Sequence, residues 1–570
     1  MKLHLYLATA LVSAAAPALF AQPTYYNGTN ATGQLVLTRT VNLKTLAQSA
    51  QALGGFSGPE KPLAEIRRTP PVLPGRVSAE AAIPPVQSLT VVSGPATVGF
   101  NGLSHYDQRM SNGGNQFSVE PPNTSIAVGK GFILEGVNNA VQVYDSTGKA
   151  LLSKVLASNQ VFGVPAAIDR TLGIYGVFPT DMRVFYDAGI DRWFIMQRAQ
   201  DNDIFNNLLT TTHLYLAVSQ TGDPTGVYNI YVMDTTNSSY PGCPCVADYP
   251  QIGADQYGVY ISANQYQSIF DVYVAASILA VSKTGLELGV KEPAAYKFNI
   301  PFTVGDEFTI QPATTPPDGS YYLANGGVEY LVSSNKTSGN VLGLWALTNT
   351  SSLLTQPNLL LTKVVVPSMI YGLPPVAKQP EGPRPYGKSV NGGLPFIETG
   401  DTRALSLMYV GGRLYVALST RVFDEAGRNL AGIGYIVVSP TLRKNALTGT
   451  VVQQGYLAVS NNYLLFPTMA VNSQGRGAIA ATLVGPDWYP SAVFVPFTTF
   501  TTPTTLRVVS AGLMPEDGFT GYEGSPSRWG DYSSAVVSTD GSLWVASEYI
   551  GNLPRTEFAN WQTFIAQFKP

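Results

Sequence analysis

Asp248-Tyr-Pro-Gln-Ile-Gly-Ala-Asp-Gln-Tyr-Gly258-Val-Tyr-Ile-Ser-Ala263 decides the architecture, because it reads as strand, tight turn, strand and because it recurs. Asp531-Tyr-Ser-Ser-Ala-Val-Val-Ser-Thr-Asp-Gly541-Ser-Leu-Trp-Val-Ala546 repeats it in the same register. Leu465-Phe-Pro-Thr-Met-Ala-Val-Asn-Ser-Gln-Gly475 and Pro121-Pro-Asn-Thr-Ser-Ile-Ala-Val-Gly-Lys-Gly131 do so again, and Asp181-Met-Arg-Val-Phe-Tyr-Asp-Ala-Gly-Ile-Asp191 fits with Asp at the turn. Looser copies surround Gly319 and Gly412. The turns fall at 131, 191, 258, 319, 412, 475 and 541, with spacings of 60, 67, 61, 93, 63 and 66 residues.

Seven units of this length, each too short to bury a core alone, imply one four-stranded sheet per unit. The chain is therefore expected to be all-β, a seven-bladed β-propeller over 92–570 with an N-terminal extension. A two-domain β-sandwich would show glycine turns but not a sustained period. The long interval holds Lys378-Gln-Pro-Glu-Gly-Pro-Arg-Pro-Tyr-Gly-Lys-Ser-Val-Asn-Gly-Gly-Leu-Pro395, a proline-rich loop read as neither helix nor central strand. Few residues follow Gly541, so the last blade lacks one strand. The segment around Ala96-Thr-Val-Gly-Phe100 is the expected donor of that closing edge.

Composition agrees. The 570 residues carry 34 basic against 37 acidic side chains, a balance that argues against a nucleic-acid partner. Charged residues are only 12% while hydrophobic ones reach 45%, so a packed core is expected rather than disorder. The 55 glycines and 41 prolines disfavour long helices.

Residues 1–21 read as a signal peptide: Lys2, an apolar run from Leu5 to Ala16, and small residues ending at Ala21. The mature chain is then secreted, extracellular or periplasmic, with no membrane span and expected as a monomer. Residues 22–91 form the extension and linker, with a short helix capped by Asn42 and extended Pro70-Pro-Val-Leu-Pro and Ile83-Pro-Pro segments. Cys243 and Cys245 either close a small ring or remain two thiols. With only His105 and His213 in the mature chain, a histidine metal site is not expected.

Ser538-Thr-Asp540-Gly541-Ser-Leu-Trp544 resembles the Asp-box turn of sialidase-type propellers, one residue short. With Asp248-Tyr-Pro-Gln, Gln311-Pro-Ala, Arg528-Trp-Gly-Asp-Tyr-Ser and Asn560-Trp-Gln-Thr-Phe-Ile, the chain resembles secreted sialidase-like (Asp-box or BNR-type) propeller proteins over residues 96–570. The resemblance implies the fold and export. Asn299-Ile-Pro stands as the nearest match to the Arg-Ile-Pro that a true sialidase carries.

If the first strand of each repeat lines the axis, its leading residues converge on one channel mouth. Asn123, Asp181, Asp248, Gln311, Asp401, Arg403, Arg528 and Asp531 are those residues. Asp181, Asp248 and Asp531 are the candidate catalytic carboxylates of a glycoside hydrolase-like site. Arg403 and Arg528 are the expected ligand-orienting cations, since arginine grips carboxylates bidentately. Tyr249, Tyr532 and Gln311 complete the ligand-binding set. The expected partner is an extracellular glycan, bound at the funnel and open to hydrolysis there. The alternative is a non-catalytic surface or interaction protein whose acidic ring is structural or holds Ca²⁺. N-terminal sequencing of the exported protein is expected to begin at Gln22.

Overall fold

The computed structural model describes residues 22–50, 83–94, 98–303, 305–444, 446–522 and 524–570, together with the backbone of 62–64. The signal peptide and the Pro70 segment lie outside the described residues. Seven antiparallel sheets follow one another along the chain as blades 1 (125–157), 2 (178–234), 3 (245–301), 4 (311–372), 5 (404–457), 6 (463–510) and 7 (534–568). Each begins with the strand nearest the axis and steps outward strand by strand.

Blade 7 builds only three strands from its own repeat, Ser534–Val537, Leu543–Tyr549 and Gln562–Phe568. Val98–Ser104 supplies the fourth, antiparallel to Gln562–Phe568 with Asn101 opposite Phe564. Ring closure thus comes from the segment that strand counting singled out. The extension does more than close the ring. Thr24–Tyr26, Thr29–Asn30 and Leu35–Asn42 add fifth, outer strands to blades 4, 3 and 2 in turn, and Thr90–Ser93 adds one to blade 6. Each covers a strand edge that would otherwise present unpaired backbone groups. The helix Leu43–Ser49 starts at Asn42, whose side chain accepts the Thr45 N–H.

A propeller has no single central core. Its apolar side chains pack between blades, in clusters that together fill the seven junctions, one of them running across blades 5, 6 and 7. The alternating strands dictate this, since successive side chains face opposite sides of a blade and so meet different neighbours. Near the axis, serine hydroxyls bridge adjacent inner strands. Ser125 accepts the Val184 N–H at 3.1 Å, Ser406 that of Met469 at 2.9 Å and Ser534 that of Ile126 at 3.1 Å.

One expectation is corrected. The 378–395 loop contains a one-turn helix, Pro385–Ser389. Pro385 suits its first position, and the Asp517 carboxylate accepts the N–H groups of Tyr386 and Gly387. A carboxylate distant in sequence therefore stabilises a turn that local composition disfavours. Cys243 and Cys245 form a disulfide, the ring-closed alternative.

At the joint between blades 7 and 1, fully buried Glu135 accepts from the Leu103 N–H at 2.9 Å, the Tyr144 hydroxyl at 3.0 Å and the Thr563 hydroxyl at 2.5 Å. Burial pushes its carboxyl up to about 7. Protonated Glu135 fits this setting, because the Thr563 hydroxyl can accept a hydrogen bond from the carboxyl and donate its own to the Leu103 carbonyl, 3.0 Å away. The folded chain therefore binds this proton more tightly than the unfolded chain. The associated stability is full below the ordinary carboxyl range and is lost as pH rises through about 7. Glu135→Gln, which mimics the protonated form, is expected to gain on wild type by up to about 3 kcal/mol between pH 5 and 8 in urea unfolding.

Candidate functional site

The inner strands share a device that composition does not announce. Asn123, Asp181, Tyr249, Thr309, Phe466 and Asp531, at the starts of six inner strands, all hold positive φ between 50° and 66°. In blades 2, 3 and 6 the inner strand slips register at this point, between Thr180 and Arg183, Asp248 and Gln251, and Leu465 and Thr468. Such left-handed residues are costly outside glycine, and bulges of this kind re-aim side chains. Here they turn one polar or aromatic group per blade toward a common mouth.

Buried ion pairs surround that mouth. The Arg198 guanidinium donates to Asp181 at 2.6 Å and lies 3.1 Å from Asp248, so one cation joins a blade 2 carboxylate to a blade 3 carboxylate. Asn123 of the blade 1 lead-in donates to Asp181 at 3.0 Å. Arg403 grips Asp401 with two bonds, at 2.8 and 2.6 Å, and lies over the Tyr249 and Phe308 rings. Arg528 donates to Glu398 at 2.8 Å and to Asp531 at 3.2 Å. The predicted carboxylates thus gather at one end of the molecule, as pairs joined by arginine.

Beneath this ring the axis is closed. Tyr249, Leu405 and Tyr532 pack together as a buried plug, with the two tyrosine rings 5.9 Å apart. Their hydroxyls reach across the axis. Tyr249 donates to the Asp531 carbonyl at 3.0 Å and Tyr532 to the Met182 carbonyl at 2.8 Å. Blades 3, 7 and 2 are so tied through the plug. Trp529 is buried and donates to the Thr482 hydroxyl.

Below the plug lies an axial cavity of about 130 Å³, lined by all seven inner strands. That volume holds several waters or one small polar ligand. Its polar lining includes Ser125, Arg183, Gln251, Gln311, Thr468 and Ser533. Toward the face opposite the mouth the lining shares Phe185, Tyr186 and Thr315–Pro317 with a second hollow of about 370 Å³. Of the predicted residues, Gln311 lines the axial cavity; Asp181, Asp248, Asp531, Arg403 and Arg528 sit on the other side of the plug.

Arg183 is the residue that sequence reading passed over. Its guanidinium stacks 3.3 Å from the Tyr532 ring centroid, and its buried Nε and Nη2 atoms meet no acceptor in the protein. The buried Gln311 Oε1 likewise has no donor. Uncompensated buried donors on a cation are costly, and an anion that satisfies them is held strongly. The signal was present in Asp181-Met-Arg183, where the arginine follows the bulge residue by two. Only the fold shows that this offset points into the channel.

A second acidic group sits beside the mouth. Glu120, Glu516 and Glu548 are fully buried, and burial pushes Glu516 up to about 7 and holds Glu120 and Glu548 well above the carboxylate range. Gly518 lies against Glu120 and Glu516, where a Cβ would fall 1.7 Å from a Glu120 oxygen; no other residue fits. His105 is buried, with its imidazole depressed to about 3 by burial and by neighbouring Arg109 and Arg555. Among the described residues no three His, Cys, Asp or Glu side chains are grouped so as to hold a metal ion. No helix among them is long and apolar enough to cross a membrane.

No protein-family model matches the chain, and no curated protein matches it in sequence. Among solved structures it is similar to a protein of unknown function from Dyadobacter fermentans, at 11% identity over 70% of this chain and 95% of that one, with a TM-score of 0.33. It is also similar to the endosialidase of phage phi92 (9% identity, 79% and 68% coverage, TM-score 0.34). A third is the α-L-arabinanase of Penicillium chrysogenum (12% identity, 65% and 89% coverage, TM-score 0.28).

Arg198→Met removes the cation shared by two buried carboxylates and is expected to cost about 3–5 kcal/mol in urea unfolding. Adding Asp181→Asn and Asp248→Asn to that variant is expected to restore a large part of the loss.

Proposed function

We propose that this chain is an exported, sialidase-like propeller that binds the acidic end of an extracellular glycan in its axial cavity. The observation that carries the reading is Arg183, a cation on the channel wall whose buried Nε and Nη2 lack acceptors. A carboxylate is the planar acceptor that matches two guanidinium donors. Gln311 Oε1 offers an acceptor for a sugar hydroxyl on the same wall. The apolar remainder, including Ile126, Val184 and Met408, suits the carbon face of a sugar ring.

The reading is one of binding without hydrolysis. Most glycosidases cleave with two carboxyl groups flanking one bond. Asp181, Asp248 and Asp531 do not line this cavity, and each is engaged by an arginine. Their arrangement favours the structural role for the acidic ring, with Arg198 as a clamp between blades.

Calorimetric titration with a uronic-acid-terminated oligosaccharide is expected to show saturable binding, and none with its carboxyl-reduced counterpart. Arg183→Gln is expected to weaken binding by about tenfold or more while leaving the melting temperature in place. Asp531→Asn is expected to leave affinity intact and lower stability. Equal affinity for the charged and reduced sugars, or turnover of a chromogenic glycoside that Asp531→Asn abolishes, would overturn the reading.

A further inference from the structure

Two neighbouring hairpins carry the same tip. In blade 2 the tip reads Asp203-Ile-Phe-Asn-Asn-Leu-Leu209, and in blade 3 Ser268-Ile-Phe-Asp-Val272. Each places Ile-Phe ahead of an Asx residue at positive φ, Asn206 at 67° and Asp271 at 54°. Both hairpins join the second and third strands of their blades and so project from the face that carries the acidic mouth.

The polar groups of the first tip bond within the tip, and the phenylalanines of both tips stand in water. Asp203 accepts the N–H groups of Phe205 and Asn207 at 2.9 and 2.8 Å and the Asn207 side-chain amide at 2.8 Å. Phe205 is left 76% exposed and Phe270 71%. The Ser268 hydroxyl donates to the Thr210 carbonyl, which ties one hairpin to the other. A third loop joins them where the Tyr175 N–H donates to the Ile204 carbonyl, with Leu172 exposed beside it. Behind blade 3's tip, the Ser268 N–H donates to the carbonyl of Pro244, inside the Cys243–Cys245 ring. The patch is therefore a braced surface of large apolar side chains.

Phe205, Phe270, Leu172, Ile204 and Ile269 all stand more than half exposed on these loops. Large apolar side chains grouped in water mark an interaction surface. Its charge is one-sided. The loops 168–175, 201–211 and 266–273 carry Asp169, Asp201, Asp203 and Asp271 against Arg170 alone. Arg170 is turned inward onto the carbonyls of Gly114 and Gln116.

We propose that this face docks a protein segment with an apolar centre flanked by lysine or arginine. An acidic rim about an apolar centre complements such a segment. The same rim opposes a second copy of this chain, whose own aspartates would meet it, and opposes an anionic bilayer. The surface is independent of the axial cavity.

The test uses the mature chain and four probes: an amphipathic Leu/Lys peptide, its Leu/Glu counterpart, phosphatidylcholine/phosphatidylglycerol vesicles, and the chain's own self-association in sedimentation velocity. The Leu/Lys peptide is expected to bind saturably and more weakly as salt rises, and the Leu/Glu peptide not to bind. Phe205→Ser with Phe270→Ser is expected to weaken peptide binding about tenfold or more, with an unchanged melting curve. Arg183→Gln is expected to leave peptide binding intact, which separates this site from the glycan reading. No peptide binding, equal binding by the double variant, or a patch-dependent response to vesicles or to a second copy instead would overturn the proposal.

Discussion

A ring of seven sheets holds only if its last sheet is locked to its first, and in this chain that lock is a strand from the N-terminal side pairing with the C-terminal one. Val98–Ser104 against Gln562–Phe568 joins segments more than four hundred residues apart, so no blade can drift outward without breaking that ladder. The loop-closure entropy of such a contact is large but grows slowly with length, and seven apolar junctions offset it together. Glu135 sits on the lock and bonds to both of its strands, which makes the joint one of the pH-sensitive parts of the ring.

Closure leaves a second problem at the axis. Inner strands that splay around a channel cannot pack on one another as blades do on their flanks. The chain solves this twice, by hydroxyls that accept from the next blade's backbone and by a tyrosine plug whose two hydroxyls cross the axis. Charged groups form the outermost layer. Each arginine there bonds a carboxylate, and buried pairs of this type add specificity of arrangement more than net stability. Beneath the plug the channel widens into a cavity with one cation short of acceptors. Layering along a single axis separates the groups that hold the ring from those placed to meet a ligand.

The extension and the insertion obey the same logic. Strands from 24–42 and 90–93 cover outer blade edges and leave fewer open to other chains. The 373–403 connection folds against Asp517 and brings Glu398 to Arg528. The tips at Phe205 and Phe270 follow another logic, since each keeps a phenylalanine in water.

Blade number, the turn after each inner strand and the closing strand were legible in the sequence, because strand–turn–strand units are local and their turns need glycine or an Asx residue. The convergence of Asp181, Asp248, Asp401, Arg403, Arg528 and Asp531 was legible too, since residues at equal offsets in equal repeats must share one end of the ring. Their partners were not. Arg198 lies on a second strand, seventeen residues past Asp181, and no local pattern marks it as the cation between two blades. Nor does sequence show that Tyr249 and Tyr532 meet across the axis, or that Arg183 falls below them and the acids above. Local periodicity determines what a strand is and which way its side chains alternate. Which groups from different blades become neighbours is set only when the ring closes, because those contacts depend on the radius and tilt that all seven blades adopt together.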